Sequence, residues 1–238
     1  MPDIHDILIA KLASHSPLSA EDQAALKGLP HRSRELAPDE DLIRQGEMPR
    51  VSVMLAEGEV ARYHMLPSGR RQYLSLHVAG DWPDLQSLFL RRIDHSICAL
   101  NDGAAIAAFQ HEHLRALAAR NPPVAHALWR ETLIDASIFR AAITNNSARS
   151  AKARMAHLFC EIFYRSKRVG VVRGETAALP MHQSQLGETL GMALVTANRT
   201  LRELRRTGSV DFKDGRIFVL DWTMLTGIGE FDPDYQNA

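Results

Sequence analysis

The 238-residue chain is 45% hydrophobic and 24% charged, and its 28 Lys/Arg balance 28 Asp/Glu. This is the composition of an ordinary globular protein, long enough for one large domain or two average ones. No stretch approaches the ~18 consecutive apolar residues of a membrane span, and the opening "MPDIHDILIAKLASH" lacks a basic start followed by an apolar block. Neither a membrane-spanning nor an exported protein is therefore expected, no membrane partner is expected, and the cytoplasm is the expected compartment.

Breaks at Ser16-Pro17 and Gly28-Leu29-Pro30 divide the first 30 residues into short helices. Between Ser33 and Phe109 the texture changes to β-prone runs, "VSVML", "EVARYHML", "QYLSLHV" and "AAIAAF". Turn signals are read at Gly46, Glu57-Gly58, Pro67-Ser68-Gly69, Ala79-Gly80-Asp81 and Asn101-Asp102-Gly103, a spacing that predicts a small antiparallel barrel or roll. Cys98 and Cys160 form no CxxC pair and are expected as small buried apolar residues. His111-Glu112-His113 would put two imidazoles on one face of a strand, but no third ligand is in sight, so neither a metal nor a cofactor is expected.

Pro122-Pro123 can open a helix, and "VAHALWRETLIDASIFRAAIT" then runs without glycine or proline. Ala127, Ile134, Ile138 and Ala141 make one apolar stripe, while Leu128, Trp129, Leu133 and Phe139 make a second. The first stripe is read as a dimer seam; a helix buried within one chain gives the same pattern. Asn145-Asn146-Ser147 is read as a polar break before a second helical run, "ARSAKARMAHLFCEIFYRS", and "KRVGVVRGETAALPM" as a loop or short strand pair. The expected domains are a roll over 1–120, a dimerisation helix over 121–146 and a C-terminal domain over 147–238.

Charge is uneven along the chain. Residues 148–216 hold 13 Lys/Arg against 6 Asp/Glu, whereas residues 1–147 hold 15 against 18 and residues 217–238 hold none against 4. A local basic block suits a polyanion, although a solvated helix face gives the same count. Within it, Leu186 and Leu190 share a face of a short helix, and Gly191 can take a left-handed turn. From Leu194 a second helix buries Ala197, Leu201 and Leu204 and presents Val195, Asn198, Arg199 and Arg202, with Arg205 and Arg206 at its end. "SVDFKDGRIFVL" then places two strands around Asp214-Gly215, a type I′ hairpin signal. A helix-turn-helix followed by a hairpin is a winged helix. Arg199 can offer a bidentate fork to guanine, or serve as an ordinary surface ion-pair partner.

A roll, a long helix and a winged helix in this order resemble the Crp/Fnr superfamily of bacterial transcription regulators, most specifically in "QSQLGETLGMALVTANRTLRELRRTGSV". The resemblance implies an α+β protein with an N-terminal antiparallel, cyclic-nucleotide-binding-like β-roll, a dimerisation helix and a C-terminal winged helix-turn-helix. It assigns Gln185-Leu186-Gly187 to the first helix, Gly191 to the turn, Thr196 to a phosphate contact and Arg199 to a guanine. Gln183, Ser184, Leu194, Val195, Asn198 and Arg202 complete the expected DNA-contacting set. Leu194 and Val195 stand where the best-known members carry an arginine and a glutamate, so contact with thymine methyls replaces polar base contacts. His182 stands in place of a threonine cap, leaving His182 and Gln185 a weak capping box.

In cyclic-nucleotide-binding members a glycine-glutamate pair and an Arg-Ser/Thr pair anchor the phosphate. Here "AGDWPDLQSLFLRRIDHSICAL" supplies Gly80-Asp81, His95 and Ser96, with Arg91 and Arg92 a few residues earlier. With histidine at the arginine position a cyclic phosphate loses its main anchor. Asp81, Arg91, Arg92, His95 and Ser96 remain the ligand-pocket candidates. An iron–sulfur sensor is excluded because no cysteine precedes Cys98, and His77 and His95 are read as hydrogen-bonded rather than haem-binding.

The expected function is a homodimeric regulator that binds double-stranded DNA at an inverted repeat; an activating member also touches RNA polymerase. The alternative is a ligand-binding regulatory module acting through protein partners. No phosphate-cradling glycine loop, GxSxG or HExxH motif supports an enzyme. The acidic end "GEFDPDYQNA" is expected to be a mobile tail.

Overall fold

The computed structural model describes residues 3–236. Asp3 opens α1 (Ile4–Ala13) by accepting the His5 N–H at 2.7 Å. Ser19 and Asp22 form a reciprocal capping box at α2 (Ala20–Lys27). Strands β1 (Arg32–Leu36), β2 (Asp41–Ile43), β3 (Val51–Met65), β4 (Arg71–His77) and β5 (Ser96–Gln110) make a five-stranded sheet ordered β1-β5-β3-β4. β1 and β2 both run antiparallel to β5. A 3-10 turn at Leu85–Leu88 lies between β4 and β5.

Two expected turns are not turns. β3 passes through Glu57-Gly58 and β5 through Asn101-Asp102-Gly103 without interruption. Gly58 (φ 81°) and Gly103 (φ 76°) take the left-handed conformation inside the strands. A Cβ on Gly58 would lie 2.6 Å from the Gly103 carbonyl oxygen, and one on Gly103 would lie 2.5 Å from that of Leu36. Glycine here permits bent strands to approach closely, which in sequence looks like a turn.

His111 begins a helix, α3 (His111–Arg120), so His111 and His113 do not share a face as they would on a strand. α4 (Pro122–Ala148) continues through Asn145-Asn146-Ser147, past the expected break. The polar side chains there find partners without unwinding the backbone: Asn145 Nδ2 donates to the Arg154 carbonyl at 3.2 Å and Ser147 Oγ to that of Ile143 at 2.7 Å.

The chain divides into two compact units, residues 1–62 with 77–136 and residues 63–76 with 137–238. In the first, Leu8, Leu12, Met54, Trp82, Phe109 and Val124 belong to one core, and Leu55, Val60, Ile97 and Ile106 to a second. In the second, Ser150 caps α5 (Ala151–Arg168), which is followed by β6 (Thr176–Ala178), α6 (Gln183–Thr189), α7 (Leu194–Thr207), β7 (Val210–Lys213), β8 (Arg216–Val219) and α8 (Trp222–Gly229). The three strands form a sheet ordered β6-β8-β7. Phe159 of α5 stacks on Phe212 of β7 with ring centroids 5.4 Å apart. Cys98 and Cys160 are both buried, and burial pushes the Cys160 thiol up to about 12.

α8 carries no strong local sequence signal, and the start of the acidic end is held against α5 and α8 rather than free. Phe231 is buried, with its ring beside His157, Tyr164 and Trp222 at 5.2, 5.9 and 6.0 Å. Arg149 Nε lies 3.2 Å from the Glu230 carboxylate. Asn237 and Ala238, the last two residues of that expectation, lie outside the described residues.

Candidate nucleic-acid interface

α6, the Gly191 turn (φ 63°) and α7 make the helix-turn-helix. Gly187 is required for their close approach, since a Cβ there would lie 2.8 Å from the Met192 carbonyl oxygen. Gln185 Oε1 accepts the His182 N–H at 2.7 Å, the half of the capping box that threonine is not needed for. Residues 63–76 belong to the same compact unit, and Gln72 Nε2 donates to the Glu188 carbonyl at 2.7 Å.

α7 divides sharply by burial. Ala197, Leu201 and Leu204 are buried, whereas Leu194, Val195, Arg199 and Arg202 are exposed. Thr196 and Asn198 are half-buried, and Gln183 and Ser184 are exposed at the start of α6. Arg199 Nε lies 3.8 Å from Glu203 on a side chain that is 68% exposed, a contact loose enough to exchange for another acceptor. Arg202 Nε donates to the Asn198 carbonyl at 3.3 Å, and Asn198 Oδ1 has no hydrogen-bond partner among the described residues.

Asp214 (φ 50°) and Gly215 (φ 67°) both take left-handed backbone at the tip of the β7–β8 hairpin, as a type I′ turn demands. Lys213 pairs with Arg216 across it, and both side chains are exposed. Arg205 is committed elsewhere: it binds the Asp211 carboxylate and the Phe212 carbonyl, clamping the hairpin to α7. The outward surface is therefore a recognition helix that exposes Leu194, Val195, Arg199, Arg202 and Arg206 together with Glu203, flanked by a wing bearing Lys213 and Arg216.

Three of the four residues read as a dimer seam face inward. Ala127, Ile134 and Ile138 are buried within the chain, and Ala141 is half-buried. The exposed apolar stripe of α4 holds Trp129, Leu133 and Ile143, which are 63%, 54% and 67% exposed. The two stripes lie on nearly opposite sides of the helix, about 150° apart, and both are apolar, so periodicity alone could not say which one is buried.

The ligand-pocket candidates are engaged separately. The Asp81 carboxylate accepts the Val78 N–H and the Lys11 ammonium, both at 2.9 Å. Ser96 Oγ accepts the Gln45 N–H at 3.0 Å. His95 is buried, with Nδ1 2.8 Å from the Asp94 carboxylate. Arg91 and Arg92 are exposed, and Arg92 donates to the Gly46 carbonyl at 3.1 Å.

The roll also holds a buried polar group that short-range sequence pattern does not reveal. Arg62 donates to the Pro83 carbonyl at 2.6 Å and to Asp135 at 2.7 Å. Asp84 accepts the Val53 N–H at 2.7 Å, and burial pushes its carboxyl up to about 7 against the pull of that N–H and of Arg62. His111 Nε2 lies 3.1 Å from Ser52 Oγ and 3.0 Å from Ser87 Oγ. The one available signal was an arginine inside the apolar run "EVARYHML".

A sensor-type roll, a long helix and a winged helix with an outward cationic recognition face define a two-domain DNA-binding regulator. Residues 33–121 match the cyclic nucleotide-binding domain family and residues 153–228 the Crp-like helix-turn-helix domain family. Carrying both domains in this order, the chain belongs to the Crp/Fnr family of transcription regulators. It is 22% identical to the transcriptional activator protein Anr of Pseudomonas aeruginosa over 93% of this chain and 91% of that one. It is 24% identical to the nitrogen fixation regulation protein FixK of Bradyrhizobium diazoefficiens, covering 92% of each chain. The fold is similar to that of FixK2 from Bradyrhizobium japonicum, with a TM-score of 0.75 at 22% identity over 84% of this chain and 98% of that one. A CRP-family transcriptional regulator from Thermus thermophilus gives a TM-score of 0.66 at 18% identity over 86% and 100%.

Proposed function

We propose that the protein acts as a homodimer on an inverted-repeat operator, as a cytoplasmic regulator without catalytic activity of its own. The observation that carries this reading is the division of α7 into a buried apolar face and an exposed face bearing Arg199 and Arg202. In this reading Arg199 reads guanine, while Thr196, Gln183, Ser184 and Arg202 position the helix on phosphates and neighbouring bases. Two heads related by a dimer axis present their recognition helices ~34 Å apart, in successive major grooves. The seam is the exposed stripe of Trp129, Leu133 and Ile143, since such a stripe on a long helix calls for a partner. No helix among the described residues is long and apolar enough to cross a membrane.

The roll acts as a sensor only if a ligand favours one of two dimer states. A cyclic nucleotide held in the family's manner is disfavoured, because Asp81 and Ser96 already have internal partners and His95 offers no bidentate fork. Selection of bound duplexes from a random pool with purified, ligand-free protein tests the proposal. An enriched inverted repeat supports it; failure to enrich any sequence, with and without a small-molecule cell extract, overturns it.

A further inference from the structure

The last turn of a helix leaves carbonyls that no later helical N–H can reach, and α6, with 7 residues, is too short to hold its own direction in water. Within the second compact unit these carbonyls are taken by side chains from three separate segments. Gln72 Nε2, at the start of β4, donates to the Glu188 carbonyl at 2.7 Å. Asn146 Nδ2, in the last turn of α4, donates to that of Thr189 at 3.3 Å, and Arg154 Nη1, on α5, to that of Leu190 at 3.2 Å. The Arg154 cation also lies where the helix dipole is negative. The β3–β4 hairpin that carries Gln72 is stiff: the Tyr63 and Tyr73 rings meet edge to face with centroids 6.5 Å apart, and the Arg71 guanidinium lies 4.6 Å over the Tyr63 ring. Gln185 Nε2 donates to the Tyr73 hydroxyl at 3.3 Å, so the same hairpin also holds the first turn of α6.

We propose that Gln72, Asn146 and Arg154 are positioning residues, which fix the angle of the helix-turn-helix so that both heads of a dimer meet their half-sites together; this rests on the homodimer reading above. A helix end held at three successive carbonyls from three directions can neither tilt nor turn about its axis, whereas fewer points of hold would leave a hinge. α4 is one continuous helix, so the residue that holds Thr189 stands on the same rod as the exposed stripe of Trp129, Leu133 and Ile143. Binding of the second head is an intramolecular step, and its effective concentration depends on how narrowly the angle between the heads is held. A loosened clamp therefore weakens binding to the repeat and spares an isolated half-site, where one head binds alone.

The test uses the full-length chain, the repeat enriched from the random pool, and a duplex carrying only one of its half-sites. Gln72→Leu and Asn146→Ala each remove one donor, from a half-buried and an exposed side chain respectively. Each is expected to weaken binding to the repeat about tenfold, through one lost hydrogen bond in each head, and to leave half-site binding within about twofold of wild type. The penalty for inserting a base pair between the half-sites should shrink in both variants. Gln72→Lys, which keeps a donor at that position, is expected to bind the repeat as wild type does. A loss shared equally by repeat and half-site, with a lowered urea midpoint, reports a damaged fold; it overturns this inference and leaves the regulator reading intact. So does an unchanged preference for the repeat over the half-site in both variants. Failure of the unmodified protein to enrich any repeat overturns both readings together.

Discussion

Arg62 on β3 and Asp135 on α4 meet at 2.7 Å, the arginine side chain 1% exposed and the aspartate 23%. The pair joins the sheet to the long helix within the first compact unit. Its two halves are unequal, because only the aspartate retains access to water. Asp135→Ala takes a carboxylate from a buried cation that keeps the Pro83 carbonyl and is expected to destabilise the protein by about 3 kcal/mol, whereas Arg62→Met fills a similar volume and leaves the aspartate hydrated, at a smaller loss. Urea unfolding of the two variants measures the order, and a larger loss for Arg62→Met would contradict this account.

Asp84 carries a pH dependence of known sign. Its folded value of about 7 lies above the ordinary 3.8, so between those values the folded state holds a proton that the unfolded state has released. The contribution of this group to stability is thus greatest below about pH 4 and declines as pH rises to about 7. His111 and His157, both lowered chiefly by burial, act in the opposite sense and favour the folded state as pH rises. The Asp84 effect is therefore read as a difference from Asp84→Asn, whose stability should improve relative to wild type by roughly 2–4 kcal/mol on moving from pH 4 to pH 7. Parallel stability curves for the two proteins would show that Asp84 ionises freely.

Charged residues at the exposed stripe of α4 should break the dimer without unfolding the chain. Trp129→Glu with Leu133→Glu removes no buried contact, since both side chains are more than half exposed. Sedimentation should show a monomer with unchanged far-UV circular dichroism and an operator affinity reduced at least tenfold. Ile134→Glu, in contrast, buries a charge within the chain and should destabilise it by several kcal/mol. A double Glu variant that still sediments as a dimer would move the seam elsewhere.

Arg199 and Lys213 should fail in different ways. Arg199→Ala is expected to cost ~1–3 kcal/mol at the selected site and to relax the guanine preference. Lys213→Ala, at the wing tip, should weaken all sequences alike and lower the slope of log affinity against log salt by about 1. Titrations at several salt concentrations on matched and mismatched duplexes separate the two patterns. An Arg199→Ala protein with unaltered base preference would show that α7 does not read bases.

Local signals were enough for the winged helix. Leucines four apart, a glycine able to turn left-handed, an arginine-bearing amphipathic helix and an Asp-Gly hairpin each follow from short-range backbone rules, and the structure places them within residues 183–219. The Asp-Gly signal succeeded at 214–215 and comparable signals failed at 57–58 and 101–103, for a physical reason. A left-handed glycine is needed wherever backbone bends or approaches backbone closely, and only the neighbouring strands decide whether the chain then reverses or continues.

The periodicity of the long helix determined that two apolar stripes exist, since side-chain direction repeats every 3.6 residues whatever surrounds the helix. Which side chains are buried was decided by the roll, whose core takes Ala127 from the first stripe and Leu128 from the second and leaves Trp129 in solvent. The same division holds for polar residues. Amino-acid order alone marked Arg199 as a candidate reader because its neighbours in the helix turn inward at fixed spacing. Nothing in that order could bring Arg62 to Asp135 or enclose Asp84, because those meetings join segments far apart in the chain, and their energies exist only once water has been excluded between them.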